Sequence, residues 1–423
     1  MGKIIYCAGA GDFPEEQWQL TELATVLGCG GYEAYLPFRD GLDCLFGSSA
    51  AAGMNAADRS RLARAIAAFN LYQLMRRCAA VVLCLNGRVP DEGGLIAAAV
   101  AYMSGIPVVL YKRDHRSVFY GRDNAMITGL ARNFAAVTRP EGLYRVVDRE
   151  IARARKAERA TCLPPALEAA VSRGRKLAAM AADRQWPAGC EADTLVGSIL
   201  AATENGEGTD SCTPVLQLEE TTASRPGVWY CSGPLFCPGE VRAMGEIAEE
   251  LEAAGWETYL PHRDGVEAFV MKRTNSYLAN LLPPLAAWGH RLTFAVDLYW
   301  ILRCHGLVFN GNGRVPDEGG VVEIGLAFAA GKPVLLNHQP RQGGPAGDFH
   351  PMITGLAALS EPAAHPEQIP FLAQQYDPAG YWTDDRTARP DGLPEPVRDR
   401  ARLGRRAWNM MERLAFFKPS RLF

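Results

Sequence analysis

The sequence lacks a charge excess of either sign: 44 basic and 47 acidic residues leave a formal charge of -3. Nucleic-acid binding needs a basic surplus or stripe to neutralise phosphates, so no nucleic-acid partner is expected. Long apolar runs are also missing. The uncharged stretch from Leu95 to Tyr111 is broken by Gly105 and Pro107 and is too short for a bilayer, so no membrane partner is expected. Histidines are few, at 7, and none pair at metal-ligand spacing; the 11 cysteines are odd in number and scattered. No resident metal or other cofactor is therefore expected. With no secretory pattern at the start, a reducing cytoplasm is the expected compartment. There is no P-loop and no GxSxG serine elbow, and GAGDF at Gly9–Phe13 lacks the third glycine of a dinucleotide fingerprint. What remains is an ordinary globular balance, 48% hydrophobic and 22% charged, over 423 residues. That length exceeds a typical domain of roughly 100–200 residues.

The chain repeats itself. Asn86–Gly94 reads NGRVPDEGG, and Asn312–Gly320 repeats all nine residues. The flanking motifs recur in the same order. IYCAG at Ile5–Gly9 answers WYCSG at Trp229–Gly233, and YLPFRDG at Tyr35–Gly41 answers YLPHRDG at Tyr259–Gly265. MITGLA occurs at Met126 and again at Met352, and SRGRKLAAM near Ser172 loosely answers RLGRRAWNM near Arg402. Identity of this length at one large period indicates a duplicated domain rather than a short-period solenoid. The expected division is 1–186, a linker at 187–226 rich in Gly, Ser, Thr and acidic residues, and 227–423.

Each copy alternates strand and helix signals. KIIYCAG, YEAYLPF, CAAVVLCLNG and PVVLYK read as strands. PEEQWQLTELATVLG, a segment around Ala65–Arg76 and GGLIAAAVAYMSG read as helices, the first opened by proline and the last closed by glycine. This alternation predicts parallel sheets with helices on both faces, two doubly wound Rossmann-like α/β domains in tandem. Ligands of such sheets sit at the carboxyl ends of the strands, where the NGRVPDEGG loop falls.

The carboxylates separate the copies. Asp317 lies in the second NGRVPDEGG loop, and Glu323 follows one turn into an apolar helix. A carboxylate among Val322, Ile324 and Leu326 is costly to bury without purpose. Its counterpart in the first copy is Ala97, so packing does not require it. Asp297, on the helix before the next strand, answers Asn70. Tyr6 and Tyr230 occupy the same place in both first strands.

These residues resemble the nucleoside 2-deoxyribosyltransferases, whose pattern is I-Y-x-A-G in the first strand, a helix aspartate, D-x-G-x-x-x-E-[LI]-G, and a later N-x-M-I. The second copy carries WYCSGPLF, Asp297, DEGGVVEIGLA and GKPV. The resemblance implies a flavodoxin-like fold for each copy, packed as a fused pseudo-dimer. It also implies Glu323 as the nucleophile at the sugar anomeric carbon, Asp297 as the proton donor to the leaving base, and Tyr230 as the residue placing the nucleophile. Asp317 would hold sugar hydroxyls, with Gly233, Gly320 and Met126 lining the substrate. The N-x-M-I asparagine, lent across a dimer in this family, falls on Asn124 of the first copy; the second copy has His350 there. One active site is therefore expected, with its acids from one copy and Asn124 from the other. A nucleoside and a nucleobase are the expected small-molecule partners, and a homo-oligomer of pseudo-dimers is a further expectation. Asp317 with Glu318 beside it would repel a 5′-phosphate, although Arg314 is close in sequence. Three readings stand open: glycosyl transfer between bases, N-glycoside hydrolysis of nucleosides or their monophosphates, and a non-catalytic sensing module. The retained acids favour the first. The basic terminal helix, RDRARLGRRAWNMMERLAFFKPSRLF, is expected to pack on the core with a solvated basic face.

Overall fold

The computed structural model describes residues 3–87, 89–114, 123–154, 163–183, 192–204, 227–266, 283–313, 317–339, 349–359, 361–376 and 393–413. In the amino-terminal half, β1 (Lys3–Ala8), α1 (Pro14–Cys29), β2 (Tyr32–Tyr35), α2 (Ala56–Tyr72), β3 (Cys78–Cys84), α3 (Glu92–Met103) and β4 (Val108–Tyr111) follow in turn. They lead into α4 (Ala125–Gly129), α5 (Leu143–Ala154), α6 (Pro165–Asp183) and α7 (Ala192–Glu204). The carboxyl-terminal half runs β5 (Val228–Ser232), α8 (Pro238–Ala253), β6 (Glu257–Tyr259), α9 (Pro283–Arg303), β7 (Gly306–Asn310), α10 (Glu318–Ala329) and β8 (Val334–Asn337). It ends with α11 (Pro351–Leu356) and α12 (Glu395–Arg413).

Each half builds a four-stranded parallel sheet, ordered β2-β1-β3-β4 and β6-β5-β7-β8. The chain leaves the inner strand in one direction and returns on its other side. A crevice therefore opens at the carboxyl ends of β1 and β3, and again at those of β5 and β7. Beyond β4 and beyond β8 lies one isolated parallel bridge each, Tyr111 with Val137 and Asn337 with Ala363. The central strands are apolar runs because both of their faces are covered; every residue of β7 is buried.

Two elements differ from the sequence expectation. Helix α2 starts at Ala56, well before Ala65, because Asn55 caps it: the Asn55 side chain accepts from the Asp58 N–H at 2.8 Å. Its first turn, AADR, carries no apolar stripe, which hid the start from periodicity. The expected linker is also not free of structure. Helix α7 lies inside 187–226, buries Leu195, Val196 and Ile199 and packs on α2. Removing side chains of this size from water contributes roughly 1.5–3 kcal/mol each, enough to hold a short helix to the core. The rest of that segment, 187–191 and 205–226, lies outside the described residues, as do Arg314 and the end of the basic terminal segment, 414–423.

One cluster of buried apolar residues runs through both halves. Helices α3 and α10 pack side by side, and a β-carbon at Gly325 would stand 2.7 Å from Ala99 Cβ. Helix α4 lies on α9 and α11 lies on α2, so each half's short helix rests on the other half's long one. Phe294 of α9 covers Gly129 and meets the Tyr102 and Phe134 rings edge-on, at 5.6 and 6.0 Å. The loosely matched motifs share one function: α6 crosses α2 at Gly174 and α12 crosses α9 at Gly404. A β-carbon at either glycine would stand 1.9 Å from a backbone oxygen, of Ala68 or Ala295. Val397, Ala401, Gly404 and Ala407 form the buried stripe of α12, and most of its arginines face outward. Among the described residues no helix is long and apolar enough to cross a membrane, and the cysteines are free thiols.

Candidate active site

The loop before α10 is built to bring a helix end onto a strand end. Asp317 caps the helix, its side chain accepting from the Gly320 N–H at 2.6 Å. Gly320 permits the close approach, because a β-carbon there would stand 2.8 Å from Ser232 Oγ and from the Phe309 ring. Gly233 follows β5 at φ +148, a conformation that favours glycine, and a β-carbon there would press on the Asn310 carbonyl at 2.7 Å. The sequence reading placed both glycines along the substrate; what the structure gives them is this backbone proximity.

Glu323 comes one turn into α10 and is only 5% exposed. Two hydroxyls from the carboxyl end of β5 meet its carboxylate. Tyr230 donates to Oε1 at 2.7 Å and Ser232 donates to Oε2 at 2.6 Å. Both lengths are those of charge-assisted O–H···O bonds. Burial pushes the Tyr230 phenol well above its ordinary range, and the neighbouring Asp297 and Glu323 charges push the same way. The phenol therefore remains a proton donor to Glu323.

Asp297 is wholly buried on α9 and accepts from the Tyr259 hydroxyl at 3.0 Å. The Tyr259 ring is held between Tyr230, at 5.2 Å, and Trp300, stacked at 4.7 Å. Two buried carboxyls thus reach one strand-end crevice, each oriented by a tyrosine.

The amino-terminal half keeps the frame without the acids. Tyr6 and Tyr35 repeat the 5.2 Å ring contact. Tyr35 donates to Asn70 Oδ1 at 2.9 Å, where its counterpart meets Asp297. The Asn70 amide then donates to both Asp43 oxygens, at 3.0 and 3.1 Å. Burial raises the Asp43 carboxyl, while His350 and the Asn70 bond act against that rise. Ala97 and Ala8 stand where Glu323 and Ser232 stand in the other half, both buried.

Each crevice also receives a side chain from the other half. Asn124 caps α4 by accepting from the Met126 N–H at 2.8 Å, and its Nδ2 would lie 2.8 Å from a β-carbon at Gly319. His350 caps α11 in the same way, accepting from the Met352 N–H at 3.1 Å. Its ring lies over Gly93, where a β-carbon would stand 2.3 Å away. The His290 ring reaches the Asp123 carbonyl at 2.6 Å, tying α9 to the loop that carries Asn124. Glu323, Tyr230, Asp317, Gly320 and Asn124 are therefore brought together. Met126 is 1% exposed and its side chain packs in the shared core.

Residues 229–351 match the family model described as nucleoside 2-deoxyribosyltransferase. The carboxyl-terminal half therefore contains a nucleoside 2-deoxyribosyltransferase domain. The matched stretch of that domain spans Tyr230, Ser232, Asp297, Asp317 and Glu323; Asn124 and Met126 lie before it. No curated protein matches the chain. Among solved structures, the glycosyltransferase SnogD from Streptomyces nogalater is 13% identical and aligns over 98% of this chain and 99% of its own, with a TM-score of 0.18. A score that low carries no argument about fold or chemistry.

Sequence reasoning about the deoxyribosyltransferase domain missed Ser232 and Tyr259. Ser232 had a visible signal: it becomes Ala8 in the copy where Glu323 becomes Ala97. Tyr259 had none, because both copies keep it. Among the described residues no three His, Cys, Asp or Glu side chains converge to hold a metal.

Glu318, beside Asp317, gives a pH-dependent prediction. Burial first, then the charges of Asp317 and Asp123, push its carboxyl up to about 7, against the pull of Lys112. Below pH 4.5 the folded and unfolded chains both hold this proton; between 4.5 and 7 only the folded chain does. Stability therefore falls across that window as pH rises. Glu318→Gln should raise the Tm above pH 7 and leave it unchanged near pH 4. A gain of equal size at both pH values, read by calorimetry, would remove the linkage.

Proposed function

We propose that the protein is a 2′-deoxynucleoside glycosyltransferase. It cleaves the N-glycosidic bond through a covalent Glu323 glycosyl-enzyme and passes the sugar to a second nucleobase. The observation that carries this reading is the buried Glu323 carboxylate, held by two hydroxyls at a strand-end crevice inside a stretch matching that family. The Glu323 oxygen attacks C1′ while the C1′–N bond breaks and its electron pair leaves with the base. Asp297 supplies the proton that the departing base nitrogen takes up. In the second half the N–H of an incoming base attacks C1′, the bond to Glu323 breaks, and the proton returns to Asp297. Asp317 and Asn124 hold the sugar hydroxyls.

In this reading the chain is a tandem duplication: two flavodoxin-like copies form a covalent pseudo-dimer that retains one catalytic site. The strand orders, with one further bridge beyond β4 and one beyond β8, agree with the flavodoxin-like order 2-1-3-4-5. The reciprocal placing of Asn124 and His350 agrees with a two-fold pairing of the copies.

The test incubates the protein with 2′-deoxynucleosides, with and without a second free base, and follows products by chromatography. Exchange that requires the second base supports transfer, free sugar indicates hydrolysis, and binding without turnover indicates a sensor. Asn124→Ala should lower exchange about 10–100-fold, the scale of losing a hydrogen bond in a polar, enclosed site. Unchanged turnover in that variant would end the shared-site idea.

A further inference from the structure

We infer that Ser232 sets the rate at which the glycosyl-enzyme turns over, by stabilising Glu323 as the leaving group of the second half-reaction. The inference rests on the transferase reading above and assigns a role to a residue for which the family resemblance implied none.

The geometry separates the two hydroxyls that meet Glu323. Tyr230 donates to Oε1 and Ser232 to Oε2, so each carboxylate oxygen has its own donor. Ser232 is 2% exposed and ends β5 just before Gly233. The approach of α10 at Gly320 confines it, since a β-carbon there would touch Ser232 Oγ. A hydroxyl so enclosed, donating over 2.6 Å, is already in place before charge appears on the oxygen.

That bond changes strength along the reaction. When Glu323 attacks C1′ its oxygens lose negative charge, and the Ser232 bond weakens. When the incoming base displaces the ester, the C1′–O bond breaks and its electron pair returns to the carboxylate. The Ser232 bond then strengthens, so it is worth more in that transition state than in the covalent intermediate. Only interactions of that kind accelerate a step. Ser232 is a positioning residue on the nucleophile and touches neither base nor sugar in this role. The amino-terminal copy is consistent with the pairing, because both partners are alanine there, Ala8 and Ala97.

Ser232→Ala tests this without threatening the fold, since Ala8 occupies the equivalent buried site in the same chain. Rapid mixing with a 2′-deoxynucleoside and a second base follows release of the first base. Mass spectrometry of quenched enzyme follows the adduct on Glu323. The expected result is a burst of free base, a steady exchange rate lowered about 10–100-fold, and an accumulating glycosyl adduct. The inference is overturned if exchange is unchanged, or if burst and steady rate fall together with no adduct, as a general loosening of the site would produce. Wild-type enzyme that exchanges no base, or that matches Glu323→Ala, would instead overturn the transferase reading itself.

Discussion

Glu323→Gln should abolish base exchange, lowering it by roughly 10⁴–10⁶, the scale on which enzymes lose activity when a covalent nucleophile is removed. The amide is isosteric, and its oxygen still accepts from Tyr230. The amide nitrogen takes the other position, where Ser232 can turn from donor to acceptor. The buried site thus stays satisfied and the thermal midpoint should hold, which calorimetry beside the exchange assay would check. A variant that folds and still transfers sugar at more than a hundredth of the wild-type rate would rule out the nucleophile role. The reciprocal change should not help. Ala97→Glu placed on Glu323→Ala gives the amino-terminal half a carboxylate, but the crevice there has Ala8 for Ser232, Asn70 for Asp297 and, from the other half, His350 for Asn124. A nucleophile there would lack its second donor, its proton source and its sugar partner.

The parallel sheets and the two carboxyls were legible because they rest on local pattern. Apolar runs closed by glycine gave the strands, and acids among apolar helix residues stood out against the other copy. The start of α2 was not legible, since it depends on the Asn55 cap and not on periodicity. Helix α7 was masked by the polar, Gly-rich segment around it, and its identity comes from burying Leu195, Val196 and Ile199 on α2. The family resemblance pointed Asn124 at the other half's loop, and its Nδ2 would stand 2.8 Å from a β-carbon at Gly319, far away in the chain. Tyr259 was hidden for the opposite reason: it serves Asp297 as Tyr35 serves Asn70, so comparing the copies cancels it. Features that the copies share read as fold and features that differ read as chemistry; a residue doing both escapes the comparison.

Asp297→Asn is the second change with a large expected effect, and the amino-terminal half holds an asparagine, Asn70, in the matching place. In the amino-terminal half Tyr35 donates to Asn70 at 2.9 Å, as Tyr259 donates to Asp297 at 3.0 Å. The substitution therefore keeps the shape and the tyrosine bond and removes only the exchangeable proton. General acid catalysis typically contributes about 10²–10⁴-fold, and that is the expected loss for an ordinary deoxynucleoside. The loss should depend on the base. A leaving group that departs as a stable anion needs no proton, so a deoxyriboside with such a group should react nearly as fast with the variant as with the wild type. A purine or pyrimidine that must be protonated should show the full deficit. An equal deficit for both kinds of leaving group would assign Asp297 to packing around Tyr259 and Trp300 rather than to proton transfer, because displaced aromatic rings would slow every substrate alike.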